Sequence, residues 1–446
     1  MLLSAELIGL VCLLVLLVLL FSGTGIGVSL ISVSVLGVFL TIGNFNTAVK
    51  LLGTTSYNAI RSYSFGVIPL FVLMGLFASE SKSGRELYDA ANLLLRRLRG
   101  GVAMATVVSN AVFAAITGAS IASAAVFSKI AYPEMTRLGY SKKLSVGTIA
   151  GSSVLGMLIP PSILMIVYGS VAQVSIGKLF FGGIVPGLIL TFLYCVVIFY
   201  IGKRYPDEIG AKAIYENEED AEPAYKVLLR PAVFVLLIII IFGGMWSGYF
   251  TPTEAGGVGC FVTLVLMIVK GKFTWARFWN ALLDTGKTSG SILFLLISAQ
   301  MFSRMLSLSG VINKIGNFVV ELPVAPIIIV LVLCALQIAL GCILDATSII
   351  LLTTPIAVPV IIGLGFDPLW YGVVMIIAVE MGLITPPFGI SVFTVQSSLQ
   401  GMKLKERVGV GEIFRGSMPF LAMMAILLIL VIFVPQLILW LPDSMV

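Results

Sequence analysis

Apolar runs near the length of a membrane span recur along this chain, separated by short polar or basic connections. They fall near 2–21, 26–42, 62–79, 102–132, 144–172, 180–201, 231–247, 253–269, 289–309, 324–362, 369–397 and 417–441. A helix rises about 1.5 Å per residue, so roughly 20 apolar residues cross about 30 Å of hydrocarbon. The period-two alternation of barrel strands is missing. The pattern predicts an all-α, polytopic helical membrane protein.

Four of the runs are interrupted. Two are too long for one span and carry a polar break: "ITGASIASAA" (116–125) inside 102–132, and "ILDATSII" (343–350) inside 324–362. Two others, 144–172 and 369–397, contain Pro-Pro in "GMLIPPSILMIVYG" (156–169) and "GLITPPFGISVFTV" (382–395). A mid-helix proline costs about 3 kcal/mol, and in hydrocarbon the carbonyls it frees find no water. Ser120 and Pro160 are 40 positions apart, Thr347 and Pro386 39. A chain that spends such breaks twice, at matched spacing, has a use for the freed groups. The domain reading is scaffold helices in 1–79, a first repeat in 80–201, a polar linker in 202–230, scaffold and connecting helices in 231–309, a second repeat in 310–416, and a C-terminal membrane helix in 417–446.

Charge sets the direction of each run. Lys82, Arg85, Arg96, Arg97 and Arg99 precede 102–132, and Lys129, Arg137, Lys142 and Lys143 follow it. Basic connections remain in the cytoplasm, so this run is expected to turn back as a re-entrant hairpin, with arms 102–117 and 121–132 each shorter than a span. Cytoplasmic connections become 80–100, 129–143, 202–230, 270–287 and 398–416, holding 22 of the 27 Lys and Arg residues. The second hairpin, 324–362, then opens outward and both termini lie outside. Two hairpins and two broken helices facing each other from opposite sides form an inverted-topology repeat.

Composition narrows the function. Hydrophobic residues make up 59% and charged residues 11%, against roughly 25% charged in soluble domains, and mean hydropathy is +1.11. The net charge of +6 sits in connections and reads as topology, so nucleic acid is not an expected partner. The first apolar run lacks a basic leader and a small-residue cleavage site and reads as a retained helix. Five cysteines in apolar stretches read as core residues, and with no histidine there is no His-based metal site or proton relay. "FTPTEAGG" (250–257) reads as helix punctuation, with Thr251 as N-cap, Pro252 at the first position and Glu254 closing a capping box.

The breaks carry the candidate chemistry. Half-helix N-termini offer N–H groups to anions, and unwound carbonyls with Ser or Thr hydroxyls offer oxygens to a cation such as sodium. In the first half these are Gly118, Ala119 and Ser120, with Ser152, Ser153, Gly156 and Pro160. In the second they are Asp345, Ala346 and Thr347, with Met381, Gly382, Thr385 and Pro386. The plainer alternative is close helix packing through small residues. Of the ionisable residues inside apolar runs, Asp345 is the preferred cation ligand. Glu380 fits a ligand, a proton carrier or a partner of a helix N-terminus equally well. Arg304 suits either a substrate carboxylate or a snorkelling or loop-paired position. An intramembrane hydrolase would need two carboxylates sharing a proton, and only Asp345 and Glu380 are at hand, so no enzyme is expected. A channel or structural subunit suits opposed broken helices less well than coupled transport does.

"SFGVIPLFVLMG" (64–75), "GASIASAA", "GMLIPPSILMIVYG", "FTPTEAGG" and "GLITPPFG", in this order, resemble the large membrane subunit of TRAP transporters (tripartite ATP-independent periplasmic transporters, the DctM family). The resemblance covers essentially the whole chain. It implies an elevator-type fold of the ion-transporter superfamily in the bacterial inner membrane, with secondary, sodium-coupled uptake of an organic carboxylate handed over by a periplasmic binding protein. It also implies a small four-helix membrane subunit, expected as a separate chain because no such segment precedes Met1. Carried over, one sodium ion (the coupling ion) falls to Gly118, Ser120, Ser152, Gly156 and Pro160. A second falls to Asp345, Thr347, Met381, Gly382, Thr385 and Pro386. The solute is expected beside Ala119, Ala124, Ala346 and Ser348. A sodium/anion symporter that needs no binding protein is the alternative within transport.

Overall fold

The computed structural model describes residues 4–61, 63–210, 223–402 and 407–445. Most of the acidic run in the 202–230 linker lies outside them. The described residues form helices and no strands. The first half runs α1 (Ala5–Phe21), α2 (Ile26–Ile42), α3 (Phe45–Arg61), α4 (Val67–Glu80), α5 (Ser83–Leu95), the pair α6 (Gly101–Thr117) and α7 (Ser120–Arg137), then α8 (Lys142–Ser153), α9 (Leu155–Leu158), α10 (Ile163–Ala172) and α11 (Ile176–Arg204). The second half runs α12 (Ala224–Trp246), α13 (Pro252–Val269), α14 (Trp275–Ser309), α15 (Val311–Glu321), the pair α16 (Pro326–Gly341) and α17 (Ala346–Gly363), then α18 (Pro368–Gly382), α19 (Ile390–Gln400) and α20 (Val410–Phe433), followed by α21 (Gln436–Asp443). Among the described residues six helices are long and apolar enough to span, or seven if the 40° bend between α8–α9 and α10 is counted as one crossing.

Local chemistry explains most of the ends. Gly43 stops α2 in a left-handed conformation (φ 78°), where a side chain would be strained. Thr251 and Glu254 form the capping box that starts α13 on Pro252. Several boundaries differ from the hydropathy pattern. Of the 270–287 connection only 270–274 is a loop: Thr274 caps α14, which continues unbroken to Ser309. The 43–61 stretch and the 80–100 connection hold the amphipathic helices α3 and α5. The second arm of the first hairpin extends to Arg137 rather than 132. The C-terminal helix starts at Val410 and divides at Val434–Pro435 into α20 and α21. In each case hydropathy marks where a helix leaves the apolar layer, whereas charged side chains such as Arg277 and Glu134 do not end a helix.

The halves interlock reciprocally. α4 packs on α13 and α2 on α14; α7 packs on α19 and α10 on α17. Small residues permit the closest approaches, as expected where lipid is as apolar as a side chain. A Cβ on Gly147 of α8 would lie 2.1 Å from the Gly416 carbonyl oxygen of α20, and one on Gly37 of α2 would lie 2.8 Å from Met305 of α14. A separate apolar cluster joins α1, α2, the end of α14 and the start of α15 through residues such as Leu16, Val33, Phe302 and Val311.

Both ends of the α6–α7 pair return to one stretch of chain. At the start, a Cβ on Gly202 would lie 3.5 Å from the Arg99 backbone. At the finish, Ser141 N donates to Glu208 O at 2.9 Å, and Gly139 lies against Gly210. Basic connections from the two halves also meet, through Lys270–Glu86 and through Arg277–Glu80 at 3.5 Å, while Lys314 pairs with Glu6 elsewhere. In a cysteine-free background, Arg97→Cys and Lys143→Cys, both exposed positions, are therefore expected to react with a membrane-impermeant maleimide only from the cytoplasmic side. Labelling from opposite sides would show that α6 and α7 cross the membrane instead of turning back.

Candidate functional site

In each half a hairpin break is pressed onto a broken helix. α6 ends where Gly118 turns left-handed (φ 61°), its N–H bonding Ala114 O at 2.9 Å. Ala119 is extended, and α7 begins at Ser120. A Cβ on Gly118 would sit 2.4 Å from Pro161 O; one on Gly156 would sit 2.8–2.9 Å from the Ala119 carbonyl group and Ser120 N. Ile163 N donates to Gly118 O at 3.4 Å, and the Ser162 hydroxyl donates to Met157 O at 2.5 Å. The backbone of Gly118, Ala119 and Ser120 thus meets Gly156 and the Pro160–Pro161 turn, whose peptide bond is cis. Ser152 lies one turn earlier, accepting from Asn110 Nδ2 at 2.9 Å and donating to Ile149 O at 3.4 Å. Ser153 is buried and bonds Ala150 O at 2.8 Å.

The second half meets in a similar way. A Cβ on Gly341 or on Gly382 would lie 2.6–2.8 Å from the Cα of the other. Cys342 Sγ donates to Pro386 O at 3.4 Å. Thr385 joins Met381, its hydroxyl donating to Met381 O at 2.7 Å and its N–H to Gly382 O at 3.1 Å. Asp345, read as a cation ligand, is the N-cap of α17: one oxygen accepts from Ser348 N at 3.0 Å and the other from the Ser348 hydroxyl. An acid before an apolar run is a cap signal, and the side chain is exposed rather than enclosed. Thr347 is half-buried, Ala346 and Ser348 are buried, and Pro386, Pro387 and Phe388 are exposed. Ala124 is wholly buried within α7, one turn beyond the tip residue Ala119.

One contact joins the halves at the first tip. The Ser120 hydroxyl donates to Glu380 Oε2 at 2.9 Å across 260 positions of chain. Glu380 is 1% exposed, and its Oε1 has no partner. Asn110 Oδ1, Ser123 Oγ, Thr148 Oγ1, Tyr194 OH and Ser391 Oγ are also buried without partners, on helices that converge around this hairpin. Each such atom costs about 1–3 kcal/mol, so the region is suited to an additional polar guest. Among the described residues no three His, Cys, Asp or Glu side chains cluster for a metal, which leaves hydroxyl and carbonyl oxygens as the main donors. Arg304 is half-buried and forms no ion pair among the described residues. A cavity of about 570 Å³ opens away from both tips, where Thr251 and Thr253 face Gln173, Gln300 and Asn58.

The helix breaks meet in two pairs inside an all-helical bundle, and the overall fold has a solved counterpart. The YdaH transporter of Alcanivorax borkumensis superposes with a TM-score of 0.65 over 89% of this chain and 90% of that one, at 13% identity. The chain belongs to the family of the tripartite ATP-independent periplasmic transporter, DctM component, whose model matches residues 13–437. It is 34% identical to the C4-dicarboxylate TRAP transporter large permease protein DctM of Pseudomonas aeruginosa, over 89% of each chain. It is 28% identical to the isethionate TRAP transporter permease protein DctMQ of Oleidesulfovibrio alaskensis, over 87% of this chain and 59% of that one. It is thus a multi-pass TRAP transporter large permease and not an enzyme.

The glycine contacts can be tested directly. Gly156→Ala and Gly382→Ala should each cost about 1–3 kcal/mol through overpacking against backbone. Gly286→Ala, a helical position with nothing within 4 Å, should be neutral or slightly stabilising. Thermal unfolding of the three variants in one detergent checks the order; equal midpoints would remove the close-packed breaks.

Proposed function

We propose that this chain is the carrier subunit of a sodium-coupled uptake system in the bacterial inner membrane, moving a small organic acid delivered by a periplasmic binding protein. A small membrane subunit completes the system, as a separate chain. The observation that carries this reading is the convergence of helix breaks in both halves: Gly118–Ser120 on Gly156–Pro161, and Gly341–Cys342 on Gly382–Pro386. Such pairs present carbonyls and hydroxyls to a cation and half-helix N-termini to an anion. Ser120, Ser152, Gly156 and Pro160 with Gly118 hold one sodium ion in this reading, and Met381, Gly382, Thr385, Pro386, Thr347 and Asp345 the other. The solute lies between the tips, near Ala119, Ala346 and Ser348. The relatives' names, C4-dicarboxylate and isethionate, support a small organic acid, and a carboxylate is the form we favour. The hairpins and broken helices then travel as an elevator against the cluster formed by α1, α2 and α14.

The test is solute uptake into proteoliposomes with sodium and pH gradients imposed separately, with and without the binding protein. Sodium alone should drive accumulation, and only with the binding protein present. Removing a neutral ligand costs about 1–2 kcal/mol, so Ser120→Ala and Thr347→Ala should each raise the half-saturating sodium concentration by roughly 5- to 30-fold. Asp345→Asn keeps an N-cap residue but removes the charge, and should abolish accumulation. Proton-driven uptake in sodium-free buffer would overturn the coupling, and uptake without the binding protein would overturn the delivery step.

A further inference from the structure

Among the described residues Glu380 is the one deeply buried acid, and the transport reading leaves its place unexplained. It belongs to α18, in the second half, yet its side chain reaches the first hairpin and accepts the Ser120 hydroxyl at 2.9 Å. Ser120 is the first residue of the 18-residue α7, so the carboxylate stands at a helix N-terminus, where a negative charge is favoured. A hydroxyl that donates keeps its lone pairs, and Ser120 Oγ therefore remains able to face a cation. The second carboxylate oxygen is enclosed and has no partner, with 1% of the residue exposed. No Lys or Arg among the described residues pairs with it. A buried carboxylate without a counter-charge is a costly arrangement unless something completes it.

The two tips differ in a way that points to what completes it. The second hairpin carries its own acid, Asp345, at the start of α17. The first hairpin has Gly118 and Ala119 there and no acid at its tip. Glu380 brings one across from the other half, to the corresponding place at the start of α7.

We propose that Glu380 is the anionic ligand of the first ion site, its free oxygen binding one sodium ion together with the Ser120 hydroxyl and the neutral oxygens of the Gly118–Gly156 contact. The inference rests on the sodium-coupled reading above. It makes this site a shared one, with donors from both halves. It also links the two ions, because Glu380 is followed directly by Met381 and Gly382 on the same helix, so filling the first site fixes the end of α18 on which the second is built.

Radioactive sodium binding to the purified full chain in nanodiscs tests it, with thermal unfolding in sodium-free choline buffer to verify the fold. The wild type is expected to bind two ions. Glu380→Gln, which keeps an oxygen to accept the Ser120 hydroxyl, should bind one ion fewer or bind it roughly 30-fold or more weakly. Ser120→Ala, the milder change, should weaken the same ion by roughly 5- to 30-fold, and Asp345→Asn should leave it in place. Wild-type stoichiometry and affinity in Glu380→Gln would overturn this inference alone; should that variant not fold, wild-type binding in Ser120→Ala would overturn it together with the first-site ligand set proposed above. No sodium binding by the wild type would overturn the coupling reading, and this inference with it.

Discussion

Everything in this molecule follows from the shortage of hydrogen-bond partners in hydrocarbon. An unbroken helix satisfies its own backbone; a broken one exposes N–H and C=O groups that lipid cannot satisfy. This chain breaks helices at 118–119, 159–162, 342–345 and 383–389, and stays folded by setting each hairpin break against a broken-helix break. Ile163 N with Gly118 O and Cys342 with Pro386 O cross between the breaks, while Ser162 with Met157 O and Thr385 with Met381 O satisfy groups within the broken helices. The glycines are needed for the same reason. Gly118, Gly156, Gly341 and Gly382 stand where any Cβ would meet main chain.

The two meeting points are built to different standards of enclosure. Around the first, Gly118, Ser120, Ser152, Gly156 and Pro160 are all buried, and several polar atoms nearby are left without partners. Around the second, Asp345 and the Pro386–Phe388 stretch are exposed, the Asp345 carboxylate and Ser348 hydroxyl pair with each other at the start of α17, and the Thr385 hydroxyl bonds Met381 O. The first is a buried polar cluster in an apolar interior; the second is an open edge. An ion at the first must be provided for entirely by protein, whereas one at the second can retain water.

The broad fold was legible in hydropathy and proline placement, because burial in lipid and loss of a backbone donor are local effects. The breaks lie inside the very runs that carry Gly-Ala-Ser, Asp-Ala-Thr and Pro-Pro. What could not be read locally was amphipathic or tertiary. α3, α5, α15 and the first turns of α14 carry charge on one face, and a hydropathy pattern takes charge for the end of a helix. Asp345 read as an ion ligand because an acid in an apolar run is expensive; its place one residue ahead of α17 adds a second use, that of a cap. The Ser120–Glu380 bond spans 260 positions, and no spacing rule reaches that far. The only available hint was that Glu380 had several equally good uses and no neighbour to choose among them.

The reciprocal packing of α7 on α19 and α10 on α17 has a bearing on how the protein is made. When the ribosome has finished α11, the first hairpin already has its own broken helix but neither α17, α19 nor Glu380. Its buried hydroxyls must wait in the bilayer for a carboxylate that is still more than a hundred residues from synthesis. Contacts at such long separation close slowly. The chain between the end of α11 and Glu380 therefore sets a biosynthetic clock: the interval during which the nascent first half waits before its partner arrives.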